Sequence, residues 1–321
     1  MSFAERRKER AKEKQLQKLE EQQCEWNKIK KPTNVLFNII LSVLSLLCVI
    51  PFIFVIIISF TDDQSLTMNG YRFIPEKWSL YAYEYIVSAG QNILKSYGVT
   101  ILVTVVGTLL GLLLIGTYAY ALSRKTYAFR SFFTKVITVP MLFSGGMIAN
   151  YLVMTKVLML KNSVWALILP LCMNSFNVIV LRTFFKTSIP DAVVESAKID
   201  GASEWKLFFK IVIPMAMPGL ATIGLFLTLG YWNDWFNALM YIDDKSWVPL
   251  QFLMIQIQNS IDWLASNKSM MGVEGIQAAA NLPKETIKMA IVVISTLPII
   301  FAYPFFQRYF VNGLTVGAVK E

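Results

Sequence analysis

The sequence predicts an all-α integral membrane protein with six transmembrane helices. Three observations lead there. Of 321 residues, 55% are apolar and 16% charged, where a soluble domain is roughly 25% charged. Six runs, 32–61, 96–123, 136–155, 162–181, 211–233 and 289–307, hold no Asp, Glu, Lys or Arg, and each reaches the ~20 residues a helix needs to cross ~30 Å of hydrocarbon. A transmembrane barrel would instead alternate over segments of about ten residues, which continuous apolar stretches such as 49–58 exclude.

The elements follow in order. Residues 1–31 form a charged N-terminal segment in which pairs such as Glu5/Lys8 and Glu9/Lys12 suit a solvated helix. Lys28, Lys30 and Lys31 end it beside the membrane, either to attach to anionic headgroups or simply to set topology. The first transmembrane helix, 32–61, is too long for a signal-peptide core and too far from the start, so it is expected to stay in the protein. Residues 62–94 make an extracytoplasmic loop whose Tyr71, Phe73, Trp78, Tyr81, Tyr83 and Tyr85 suit the headgroup level. The transmembrane core, 95–307, holds spans two to six. Gly107 and Gly111 form a small-residue packing face on the second, and Gly145-Gly146, after Pro140, marks a kink or break in the third. A long loop, 234–287, precedes the last span; its uncharged stretch 246–261 is too short and too rich in Gln to cross, and reads as a re-entrant or surface helix. A short tail, 308–321, closes the chain.

Orientation comes from basic residues. Segments 1–31, 124–135 and 182–210 and the tail together hold twenty-one Lys and Arg, and the alternate segments nine. The positive-inside rule therefore places both termini in the cytoplasm. This distribution accounts for the net charge of +9 without any nucleic-acid partner.

Catalysis finds little support. The chain has no His and only Cys24, Cys48 and Cys172 among thiols, widely spaced, so neither a metal site nor a disulfide framework is indicated. No GxxxxGK[ST] occurs. The apolar runs do hold neutral polar residues: Asn150 and Tyr151, Asn174, Ser175 and Asn177, Thr222, Thr228, Trp232 and Asn233. Such groups either line a pathway for a hydroxyl-rich solute or hydrogen-bond one helix to another.

The most informative segment is 188–210. Ser188 with Asp191 resembles a capping box and Pro190 suits a first turn, so a short helix is expected here. Asp200-Gly201 is turn chemistry, and Ser203 with Glu204 can cap a second helix carrying Trp205, Leu207, Phe208 and Phe209. The product is an elbow along the cytoplasmic face. Its first helix presents Ala192, Glu195, Ser196 and Ile199 at helical spacing: small side chains for close approach and one carboxylate for a charge-assisted contact. An amphipathic connector at the interface would carry the same pattern.

The run Glu195-Ser-Ala-Lys-Ile-Asp-Gly201-Ala-Ser, followed by Ile211-Val-Ile-Pro214, resembles the EAA loop of ABC-importer permeases. Trp232-Asn-Asp-Trp-Phe236 and Phe306-Gln-Arg-Tyr-Phe-Val-Asn-Gly313-Leu-Thr-Val-Gly317 resemble the carbohydrate-uptake, maltose-type six-span branch. The departure is Ser196 where the motif has Ala. The resemblance covers the chain from about Lys95 onward and implies the type I importer permease fold. It also implies that the elbow is a coupling helix seated in a cytoplasmic ATPase dimer, with Glu195 facing a basic residue, Ser196 and Ala197 giving close contact, and Asp200-Gly201 making the turn. Candidate pathway residues are then Asn150, Asn174, Asn177, Thr228, Trp232 and Asn233. The implied partners are a second homologous permease, the ATPase with its ATP and Mg, an extracellular solute-binding protein probed by loop 234–287, and the bilayer of the cell membrane. No cofactor is implied on this chain. A stand-alone carrier or channel for a neutral polar solute is the alternative, but it predicts an intramembrane charge that the six runs lack.

Overall fold

The computed structural model describes residues 31–89, 93–267 and 284–318. The N-terminal segment before Lys31, the middle of loop 234–287 and the last three residues of the tail lie outside them. Among the described residues the fold is helical, apart from one antiparallel bridge between Thr61 and Trp78. The chain divides into two compact units, 1–56 and 57–321. The first contains most of α1 (Lys31–Ser59), an apolar helix with Pro51 inside it.

Two short helices follow, α2 (Asp63–Asn69) and α3 (Tyr81–Ala89), and then α4 (Ile93–Ser123). Helices α5 (Arg130–Leu142) and α6 (Gly146–Val157) meet at 118°, and α7 (Val164–Cys172) and α8 (Ser175–Ser188) at 49°. After α9 (Asp191–Ile199), α10 (Glu204–Met215) and α11 (Met217–Trp232) meet at 84°. The chain ends through α12 (Phe236–Tyr241), α13 (Leu250–Ser266) and α14 (Lys284–Ala318). Helices α1, α4 and the first part of α14 are long and apolar enough to span unbroken, and with each bent pair as one broken span the total is six.

The breaks have local causes. Gly146 sits at φ +79°, open to glycine and strained for other residues, so the Gly145-Gly146 break forms where the sequence places it. The other two were not expected. Between α7 and α8 the Asn174 side chain accepts from the amides of Phe176 (2.9 Å) and Asn177 (3.4 Å), capping a fresh helix start inside an apolar run. Between α10 and α11, Pro214 and Pro218 remove two amide donors, and the chain restarts at Met217. The run 211–233 is therefore not one helix: the second elbow helix reaches Met215 and the apolar helix begins after it. The tail is likewise helical to Ala318, continuous with the last span.

Helix α4 is the post around which the second unit packs. It lies against α11, α8 and α7, and its two glycines make the approach possible. A Cβ on Gly107 would stand 2.4 Å from the Tyr231 ring, and one on Gly111 2.8 Å from the Cys172 carbonyl and from Leu227. Thr100 of α4 accepts from the Leu250 amide at 2.8 Å, capping α13, which Pro249 itself cannot do. The 246–261 stretch accordingly yields a helix whose Leu250, Phe252, Met254 and Ile261 are buried rather than floating free. Asp63 accepts from the amides of Glu285 and Thr286 and from the Thr286 hydroxyl, each at 3.1 Å, and so caps α14 from over two hundred residues away.

Candidate functional site

The elbow forms as two helices joined by a closed turn. Helix α9 ends in a Schellman motif: the Ala202 amide donates to the Ala197 carbonyl (2.9 Å) and the Gly201 amide to that of Lys198 (3.0 Å), with Gly201 at φ +77°. Ser203 Oγ then accepts from the Lys206 amide at 3.3 Å and opens α10. Lys198 and Glu204 pair across the turn at 2.6 Å. The expected capping box does not form. Ser188 is the last residue of α8, and Pro190 takes the N-cap of α9, where it has no side-chain acceptor to offer.

Burial sorts the elbow into two faces. Val194, Ala197, Leu207, Phe208 and Val212 point into the main core. Ala192, Glu195, Ser196 and Ile199 face outward, with Ile199 85% exposed, and Asp200 and Gly201 stand exposed at the bend. Ala197 is therefore a core residue, not a contact for a partner; it sits opposite the outward face because helix spacing puts it beside Val194. Among the described residues Glu195 has no ion pair, so its carboxylate is free for another chain. Trp205 and Phe209 of α10, both exposed, stack at 5.9 Å.

What holds the elbow to the bundle was missed in the sequence. Arg124, buried at the end of α4, donates through Nε to Ser123 Oγ (2.9 Å) and through a terminal nitrogen to the Phe185 carbonyl (3.3 Å), and lies 5.4 Å from the centre of the Tyr120 ring. Its other terminal nitrogen stands 3.6 Å from the carboxylate of Asp191, the first residue of α9, and Lys125 reaches the same carboxylate at 3.0 Å. The Lys125 hydrogen bond and charge, and then Arg124, hold the Asp191 carboxyl below the usual carboxylate range. The signal available in the sequence was Arg124-Lys125 directly after a charge-free run.

The pathway candidates separate. Thr228 and Trp232 border a pocket of about 190 Å³ between α4, α11 and α14, whose surface is wholly apolar, so neither residue turns a polar atom into it. Thr104 Oγ1 is buried without a hydrogen-bond partner, a residue the sequence did not single out. Asn150, Asn174, Asn177 and Asn233 do not line this cavity. Asn174 is the cap described above, Asn233 donates back to the Leu229 carbonyl (3.0 Å), Asn177 is buried beneath the α8 start, and Asn150 is exposed on α6. Thr228 bonds to the Gly224 carbonyl (2.8 Å) and faces the Thr108 hydroxyl (3.3 Å). Trp232 is 6% exposed and donates to the Ser295 carbonyl at 2.9 Å. It ties α11 to α14, one helix hydrogen-bonded to another.

Comparison with known proteins agrees with this architecture. Residues 107–316 match the family described as binding-protein-dependent transport system inner membrane component. The chain is 42% identical over 276 residues, 86% of its own length and 94% of the other's, to the polygalacturonan/rhamnogalacturonan transport system permease protein YtcP of Bacillus subtilis (strain 168). It is 40% identical over 287 residues, 89% and 93% of the two chains, to Protein LplC of the same organism. Among solved structures it is similar to a chain of a bacterial ABC transporter involved in the import of the acidic polysaccharide alginate, with TM-score 0.72 and 29% identity, over 87% of this chain and 97% of that one.

Proposed function

Because this chain belongs to the family of binding-protein-dependent transport system inner membrane components, we propose that it carries oligosaccharide through the membrane while a separate cytoplasmic ATPase dimer binds ATP and Mg and supplies the work. It is a multi-pass inner-membrane permease subunit of a sugar ABC transport system. The single observation that carries the division of labour is the elbow: a rigid bend, rooted in the core by Val194, Ala197 and Phe208, that offers Glu195, Ser196 and Ile199 outward. In this reading an arginine or lysine of the ATPase meets Glu195, and Ser196 lets the backbones close.

Both termini and the elbow then lie in the cytoplasm, loops 62–94 and 234–287 lie outside, and loop 234–287 meets the binding protein. A second, homologous permease completes the passage. The solute class is an acidic oligosaccharide: two of the similar proteins are named for polysaccharides, polygalacturonan/rhamnogalacturonan and alginate.

The test is Glu195→Lys in the assembled importer. The protein remains in the membrane, but uptake of labelled galacturonate oligomers and the release of the ATPase from its resting rate are both lost. Normal uptake by this variant, or uptake by the chain alone in liposomes without any ATPase, overturns the reading.

A further inference from the structure

A second group of side chains lies at the same end of the bundle as the elbow, where α5 packs on α8. Arg130 is the first residue of α5, and Arg182 and Lys186 share one face of α8 at a spacing of four. No carboxylate answers them: among the described residues none of the three side chains has an ion pair or a hydrogen bond. Arg182 Nε is buried with no partner at all. Arg130 lies within electrostatic reach of both Arg182 and Lys186, and Lys125 of Lys186. The three charges thus crowd one another.

Helix geometry makes the arrangement costlier still. The start of α5 already carries the positive end of its dipole, its N-cap Phe129 offers no side-chain acceptor, and its first turn holds no acidic residue. A cation placed at that position, with two more beside it, makes this end of the helix favourable for an anion. The surroundings say which anion. Phe129 and Phe132 stand exposed next to Arg130, and the outward side of α5 continues through the exposed Val136, Val139 and Leu142. Charge meets aromatic residues and then an apolar face, which is the order of layers in a membrane leaflet. A soluble anion or an acidic protein segment has no use for that flank.

We propose that Arg130, Arg182, Lys186 and the amide end of α5 bind the phosphate of an anionic phospholipid headgroup in the leaflet on the elbow side, with Phe129 and Phe132 against its upper acyl chains. The site would tie the lipid to α8, the helix that leads directly into the elbow.

The experiment uses the full chain in phosphatidylcholine nanodiscs with and without phosphatidylglycerol, and counts retained phosphatidylglycerol by native mass spectrometry. Wild type retains it. Arg182→Gln and Lys186→Gln each weaken retention about fivefold and the double variant about twenty-five-fold, from ~1 kcal/mol per cation, whereas Lys135→Gln, an exposed cation outside the group, has no effect. A variant that failed to fold would lose its melting transition, which is recorded alongside. Equal retention by the wild type and a folded double variant overturns the proposal. So does displacement of the lipid by inorganic phosphate at matched concentration, which would mark a free-anion site. Loss of an associated subunit from the double variant with lipid retention intact also overturns it, in favour of a protein contact.

Discussion

Arg124, 8% exposed at the end of α4, holds its guanidinium 3.6 Å from the carboxylate of Asp191 at the head of α9. The span that forms the centre of the bundle is thereby joined to the first helix of the elbow. Arg124→Ala removes two hydrogen bonds and the ion pair to Asp191, while the Phe185 carbonyl keeps the Ile189 amide and Ser123 its bond to the Tyr120 carbonyl; the loss is about 1–3 kcal/mol, and the elbow is freed. Melting temperature and uptake both fall. Asp191→Asn has a smaller effect, because that carboxylate is half-exposed and water replaces its partners. With its folded-state value depressed, the Asp191 pair contributes fully above the ordinary carboxylate range and is lost only as pH falls through the lowered value. Uptake is therefore insensitive to this pair around neutral pH, and a pH profile that loses the Arg124 dependence near pH 7 would contradict the assignment.

Gly107 and Gly98 lie on the same helix with opposite surroundings. A Cβ at Gly107 meets the Tyr231 ring, while one at Gly98 has nothing within 4 Å. Gly107→Ala forces α4 and α11 apart or turns the ring, which also donates to the Ile168 carbonyl at 2.7 Å; the expected cost is about 1–3 kcal/mol. Gly98→Ala gains helix propensity, roughly 0.5–1 kcal/mol. Thermal unfolding in detergent separates them, and a neutral Gly107→Ala would show that the bundle is looser than its geometry.

The spans were legible because hydrocarbon excludes charge, so each run had to show as a gap in the charged residues. The elbow was legible because its determinants, Gly201 and Ser203, act within a few residues of themselves. The breaks at Asn174 and Ala216 were not: whether an Asn inside an apolar run caps a helix or faces a pathway depends on where the backbone restarts. Ala197 was misread for a related reason. Its neighbour Ser196 is equally small, and only the packing of Val194 decides which of the two turns inward. Arg124 and Asp191 are over sixty residues apart, a pairing that no local pattern records.

Gly201 takes φ +77° at the bend, where a side chain costs about 1–2 kcal/mol. Gly201→Ala has open space for its Cβ, so the penalty is conformational alone and falls on the Schellman closure. Gly201→Asn is expected to recover much of the loss, since Asn adopts this region more readily. Uptake in the order Gly, Asn, Ala is the expected outcome. Equal uptake by all three would mean that the turn is not strained in the working transporter.

Trp232 distinguishes a clamp from a gate. Its indole donates to Ser295 and its ring sits in a cluster with Ile287, Ala290 and Ile291, while one edge borders the cavity of Thr104 and Thr228. Trp232→Phe keeps most of the apolar contact but removes the indole hydrogen bond to the Ser295 carbonyl, at about 0.5–1.5 kcal/mol. If the residue is a clamp, the variant melts earlier and transports with an unchanged KM. If the indole meets the solute, KM rises with little change in melting. Thr228→Val supplies the reference: its hydroxyl bonds the Gly224 carbonyl and faces Thr108 inside the bundle, so an earlier melt with unchanged KM in both variants marks Thr228 and the indole alike as ties between helices.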